Sequence, residues 1–116
     1  MKPKSSFWQE ISQLITHNQI IIDRPKHSAH PRYPEYIYPL AYGYLENTTA
    51  ADGDGIDVWI GSLNSKTLTG ILCTFDTIKR DMEIKLLIDC TDQDIQVIQK
   101  FHGEMYNLYI PNPENQ

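Results

Sequence analysis

Three carboxylates fall within six residues, Asp52-Gly53-Asp54-Gly55-Ile56-Asp57, and the glycines let the backbone turn tightly enough to converge all three. Hard divalent cations prefer oxygen ligands, and magnesium in particular is held by a few carboxylates while it contacts substrate phosphates. The same run also reads as a solvated turn, since Asp and Gly dominate turns. A calcium loop is excluded. Counted from Asp52, it would need an oxygen ligand, a glycine and a glutamate where the chain has Ile56, Asp57 and Leu63. A second charged set, Asp81, Glu83 and Lys85, alternates with Met82, Ile84, Leu86 and Ile88. As a strand this puts carboxylates beside a lysine on one face, either as a site or as a solvent-facing charged surface. Four of the seven tyrosines, Tyr33, Tyr36, Tyr38 and Tyr42, lie within ten positions and point to a wet aromatic surface or cleft, where phenols can meet phosphates. Arg24, Lys26 and Arg32 near that run read either as a solvated loop or as a phosphate site.

These groups need elements to hold them. Ser5 and Ser6 precede Phe7, Trp8, Ile11, Leu14 and Ile15, a capped amphipathic helix ending near Asn18. Ile20-Ile21-Ile22 is a short strand that Pro25 stops, and residues 25–39, with four of the seven prolines, form an ordered loop. Extended structure returns over Tyr36 to Leu45, Glu46 to Gly55 is a turn, and residues 56–60, 69–75 and 81–88 are strands. Met82, Ile84, Leu86 and Ile88 are expected on the buried side of the last of these. Thr91 and Asp94 form a capping box for a helix from about Asp92 to His102, and Tyr106 to Ile110 adds a final strand.

With 116 residues, 41% of them hydrophobic and 22% charged, the chain has the composition of one folded domain over 1–116, with 1–6 and 111–116 as loose tails. A net charge of -5 argues against a general nucleic-acid binder. Cys73 and Cys90 stand outside any CxxC pattern, and with no apolar leader or membrane span a reducing cytoplasm fits. A zinc site on His27, His30 and the cysteines matches no common ligand spacing. Trp8, Trp59 and Phe75 read as core or interface aromatics.

The run Tyr38-Pro39-Leu40-Ala41-Tyr42-Gly43-Tyr44, followed by Asp52-Gly53-Asp54-Gly55-Ile56-Asp57-Val58, resembles the signature of the soluble inorganic pyrophosphatases. Asp52 keeps the spacing of ten residues after Tyr42, and only Gly55 departs, standing where that family has proline. Asp23, in Ile22-Asp23-Arg24-Pro25, stands where the family carries a metal-linked glutamate. Arg32, followed by Tyr33, stands where it has a phosphate-binding lysine. Pro34 occupies an acidic position of the family, with Glu35 one step away, and a hairpin bearing a phosphate-binding arginine is missing before Tyr38. Arg24 and Lys26 are the substitutes at hand. Asp76 and Asp81 keep the five-residue spacing of two metal aspartates, while Glu83 and Lys85 keep the spacing of the second acid to a phosphate-binding lysine. The ligand is therefore Asp81 or Glu83. Phe101-His102 lies near the place of the family's C-terminal Tyr-Lys pair.

The resemblance implies a mainly β fold with flanking helices (α+β), a small closed OB-like barrel, and capacity for homo-oligomer assembly. It implies magnesium-dependent hydrolysis of pyrophosphate, a small-molecule substrate, by a metal-activated water. Asp52, Asp57 and Asp81 or Glu83 would be the metal ligands, with Asp76 and Asp23 further candidates. Asp54 would take or orient the water's proton, and Arg32, Tyr38, Tyr42 and Lys85 would hold the phosphates. Two alternatives stay open. One is a metal- or phosphate-binding module without turnover, in view of the missing hairpin and Tyr-Lys pair; the other is hydrolysis of a different phosphoanhydride in a cleft opened by the shorter loop.

Overall fold

The structure, a computed structural model, describes residues 5–115. Of the expected tails, residues 1–4 and 116 lie outside the described residues. Ser6 caps the first helix, α1 (Phe7–His17): its hydroxyl accepts the Gln9 N–H and the Gln9 side chain accepts the Ser6 N–H, a reciprocal capping box. A second box, Thr91 with Asp94, starts α2 (Asp92–His102), and Gly103 ends it. The strands are β1 (Ile20–Arg24), β2 (Ala41–Leu45), β3 (Asp57–Ile60), β4 (Leu68–Asp76), β5 (Asp81–Ile88) and β6 (Asn107–Pro111), with one 3-10 turn at Glu104–Tyr106.

The six strands form one sheet in the order β1-β2-β3-β5-β4-β6, antiparallel except for the parallel pair β3 and β5. Strand alternation gives the sheet two apolar faces. On one, Ile15 of α1 packs with Leu45, Val58, Leu68, Ile71, Leu86 and Ile88. On the other, Ile95 and Ile98 of α2 pack with Tyr38, Leu40, Trp59, Leu72, Leu87 and Cys90. Burying such side chains at roughly 1.5–3 kcal/mol each is what holds both helices to the sheet.

Three expectations are corrected. The sheet does not close into a barrel: among the described residues the outer strands β1 and β6 do not pair with each other, so both remain edges. The extended stretch expected from Tyr36 becomes a ladder only at Ala41. Before it, residues 25–38 fold back on themselves, with an isolated bridge between Ala29 and Ile37 and bonds from His27 N to Tyr38 O (2.8 Å), Tyr38 N to Ser28 O (2.9 Å) and His30 N to Tyr36 O (2.8 Å). At the other end, Pro111 belongs to β6, and buried Asn112 donates to the Leu68 carbonyl at 3.0 Å, so the chain is docked through that residue.

The polarity of β5 also differs from the alternation pattern. Lys85 is only 6% exposed, whereas Met82 is 72% and Ile84 52% exposed. The physical reason lies in the length of the cover: α1 packs on the Leu86–Ile88 end of this strand, and the hairpin end projects beyond it.

Candidate active site

Strand pairing brings the first functional group together from three different segments. Tyr42 lies opposite Trp59 in the β2–β3 ladder and Tyr44 opposite Asp57, so Tyr42 and Asp57 share one face. The parallel pairing of β3 with β5 sets Lys85 beside them. Lys85 Nζ donates to Tyr42 Oη at 2.7 Å and to Asp57 Oδ2 at 3.1 Å, and Tyr42 Oη donates to the same Asp57 oxygen at 2.6 Å. The ammonium also lies 5.2 Å from the Tyr42 ring centroid and 3.7 Å from Glu83 Oε1. Burial and the neighbouring Asp57 charge hold the Tyr42 hydroxyl far above the usual phenol range, so it stays a donor.

Tyr42 and Lys85 border a cleft of about 420 Å³ whose lining also includes His30, Tyr38, Glu83 and His102. Asp76, Asp81, Phe101 and Tyr106 complete its rim. A second cleft of about 500 Å³ takes in Asp52, Asp57, Asp81 and Glu83 together with apolar residues of α1 and β5. Asp81 and Glu83 thus lie between the two.

In the sequence His102 stands only near the place of a missing pair, and no local pattern gives its chemistry. Trp59 Nε1 donates to its Nε2 at 3.0 Å, which places the ring proton on Nδ1. Burial, and then the charge of Lys85, push its pKa down to about 3, so it is a neutral imidazole. The signal that could have found it is the alternation that aims Trp59 at α2.

The remaining expected residues are placed as follows. Asp52 folds its own turn, its Oδ1 accepting the Asp54 N–H at 3.0 Å, and Asp54 is exposed and borders neither cleft. Gly55 is explained by space: a Cβ there would meet the Tyr44 ring at 2.7 Å. Asp23 is the extra residue of a bulge between Ile22 and Arg24, and its carboxylate lies 3.6 Å from Arg24. Arg24 itself pairs with Tyr42 in the ladder, and burial raises the pKa of the Tyr38 hydroxyl against the opposing effect of the Arg24 cation. Arg32 lies in the exposed loop, where its N–H donates to His30 Nδ1 at 3.0 Å, away from both clefts. Asp76 caps the β4–β5 turn, accepting from Ile78 N (2.8 Å) and Lys79 N (2.9 Å), and these bonds lower its pKa. Cys73 and Cys90 are both free thiols. Among the described residues no three His, Cys, Asp or Glu side chains converge as a metal-holding cluster, and no helix is long and apolar enough to cross a membrane.

Known proteins match this chain at two levels. No family model matches it. It is 36% identical over 66 residues to an inorganic pyrophosphatase of Geobacillus stearothermophilus, a match that covers 57% of this chain and 37% of the relative, so the chain spans little over a third of that relative's length. In fold it is similar to an inorganic pyrophosphatase from Coxiella burnetii, with a TM-score of 0.56 at 16% identity over 79% of this chain and 82% of that one. An inorganic pyrophosphatase from Helicobacter pylori gives 0.52 at 18% identity, covering 80% of each chain. An inorganic phosphatase from Anaplasma phagocytophilum gives 0.51 at 16%, covering 79% and 81%. In sequence and in fold, this chain resembles the inorganic pyrophosphatases.

Proposed function

We propose that the chain hydrolyses a phosphoanhydride, with pyrophosphate as the reference substrate, in the clefts that share Asp81 and Glu83, beside Asp57 and Lys85. The observation that carries this reading is the buried Lys85 held by Tyr42 and Asp57. A lysine fixed at that depth is a pre-positioned charge for a phosphate oxygen, and it needs no rearrangement as negative charge develops.

Magnesium suits the donors available. Asp52, Asp57, Asp81 and Glu83 offer only oxygen, and Asp57 keeps Oδ1 free because both of its partners use Oδ2. Since no three acids converge among the described residues, one or two of these carboxylates at a time would hold the ion, with Asp23 and Asp76 as outlying acids. A bound divalent cation lowers the pKa of a coordinated water toward neutrality. The chain's own side chains do the rest. Lys85 and the Tyr42 hydroxyl donate to phosphate oxygens, Tyr38 borders the same cleft, and Asp57 keeps the lysine aimed. Arg32 would have to swing in from its loop to join them, and the role of Asp54 as proton acceptor rests on the resemblance alone.

Assembly into a homo-oligomer belongs to the same reading. Phe75, Met82, Ile84, Leu108 and Ile110 alternate onto the α1 side of β4, β5 and β6 beyond the helix, and all are exposed. They leave on the order of 500 Å² of apolar surface, against the roughly 800 Å² that each partner buries in a stable interface. A second copy of this chain is the occupant proposed for that face.

The test is phosphate release from magnesium pyrophosphate by purified protein, with Asp57→Asn as control. Release well above the control supports the reading; none above it, at several pH values and with manganese as well, refutes it. The spread of the acids supports a second reading, binding without turnover. Under that reading pyrophosphate raises the melting temperature but yields no phosphate.

A further inference from the structure

The larger question about the cleft beside Lys85 is what fills it. Its volume of about 420 Å³ lies in the range that takes an organic ligand of drug size, several times what two phosphate groups occupy. Among the described lining residues Lys85 is the only lysine or arginine. Arg32 lies outside that lining, so the chain supplies one cation here for phosphate and leaves most of the wall to other contacts.

The wall supplies aromatic surface instead. Tyr38 and Phe101 lie with ring centroids 4.9 Å apart, and the His30 ring stacks on Tyr38 at 6.1 Å with the planes only 6° apart. The fold-back of residues 25–38 is what carries His30 to this position, in place of a longer hairpin. Tyr106, on the 3-10 turn after α2, lines the same cleft, 46% exposed and without a ring neighbour among the described residues. The exposed Tyr106 phenol is the free ring on this wall, beside a His30 imidazole that Tyr33 and Tyr38 hold in place at 5.3 and 6.1 Å, and such ring surfaces accept any nucleobase because every base has a π-face. His102, also on the lining, carries its ring proton on Nδ1 because Nε2 accepts from Trp59.

Resting on the hydrolase reading above, we infer that the substrate class is a nucleoside polyphosphate, its base on the aromatic wall that includes His30 and Tyr106 and its terminal phosphate at Lys85 and Tyr42. For a nucleoside diphosphate, water oxygen bonds to the terminal phosphorus and the bridging P–O bond breaks. The bond electrons leave with the bridging oxygen. A trianion and water thus give a nucleoside monophosphate dianion, a hydrogenphosphate dianion and one proton released to solvent. No oxidant or further reactant is required.

The experiment compares kcat/KM for phosphate release from ADP, GDP, ATP, pyrophosphate and tripolyphosphate, with magnesium and with manganese, for the full chain and for Tyr106→Ala and His30→Ala. The inference expects at least one nucleotide to exceed pyrophosphate by tenfold or more, and each variant to lower the ratio of nucleotide to pyrophosphate kcat/KM at least fivefold. Tyr106→Phe, which keeps the ring, should restore most of that ratio. Pyrophosphate cut as well as or better than every nucleotide overturns the inference while the hydrolase reading stands. A nucleotide preference that both alanine variants leave unmoved overturns the assigned base site. Release from none of the five overturns both readings together.

Discussion

At the scale of single residues, the unusual feature is a lysine that is nearly inaccessible and yet satisfied. Removing its charge leaves Asp57 and Tyr42 facing each other without a cation. For Lys85→Met we expect a stability loss of about 1–3 kcal/mol, because Asp57 stays partly solvated and is not a fully buried orphan charge. Urea unfolding measures it. His102 makes a prediction of pH dependence. Its folded pKa of about 3 lies below its ordinary 6.5, so between those values the unfolded chain binds the proton and the folded chain does not. Its contribution is complete above pH 6.5 and is lost as pH falls, at up to ~1.4 kcal/mol per pH unit. Stability measured from pH 7 to 5 should therefore fall less steeply in His102→Gln, in which the side-chain amide can still accept from Trp59. An equal slope in both proteins would contradict the burial of a neutral imidazole.

Elements are where the sequence was most readable and where two buried carboxylates were missed in part. Both capping boxes stood in the sequence as Ser or Thr three residues before Gln9 or Asp94, ahead of apolar runs at helical spacing. What the pattern does not contain is the partner across space: Asp94 also accepts from Ser62 N (2.8 Å) and Ser62 Oγ (2.7 Å), which ties α2 to the end of β3. Asp89 likewise gathers Ser65 N (3.2 Å), Lys66 N (2.9 Å) and Thr67 N (2.9 Å) into one loop. Burial alone would raise both pKa values, but these hydrogen bonds outweigh it and lower them. Their stabilisation is present above the unfolded value of 3.8 and disappears as pH falls below it. Asp94→Ala should cost about 1–2 kcal/mol, since it strips a helix cap together with the bonds from Ser62. Thermal melts at pH 7 and pH 3 should show that difference shrinking. Gly43 is a second test: a Cβ there would fall 1.8 Å from the Ile21 carbonyl oxygen, so Gly43→Ala should separate β1 from β2 and lower the melting temperature sharply.

On the scale of the whole molecule, element order was legible because each strand and helix carries its own period. Closure was not, because it depends on whether β1 and β6 meet, a relation between residues ninety apart that no local pattern encodes. The site was legible to the same degree. Tyr42, Asp57, Glu83 and Lys85 converge because pairing register follows from strand parity, whereas Arg32 and Asp54 sit on turns whose direction parity does not fix. The exposed face of β4, β5 and β6 carries its own expectation: sedimentation should show a concentration-dependent assembly, and Ile84→Glu should shift it to monomer. Monomer at all concentrations would contradict the second-copy reading of that face.

The central claim is that the lysine held by Tyr42 and Asp57 organises a hydrolytic site, and turnover tests it most directly. Phosphate release from magnesium pyrophosphate and from nucleotides should be measured for the parent chain, Asp57→Asn, Lys85→Met and Tyr42→Phe, each first shown folded by near-UV circular dichroism. The account predicts release by the parent chain, at least a hundredfold loss in Asp57→Asn and Lys85→Met, and roughly tenfold in Tyr42→Phe, the effect of one lost hydrogen bond to a charged group. Folded variants that match the parent's rate, or a parent chain that releases nothing from any of these substrates, would contradict it.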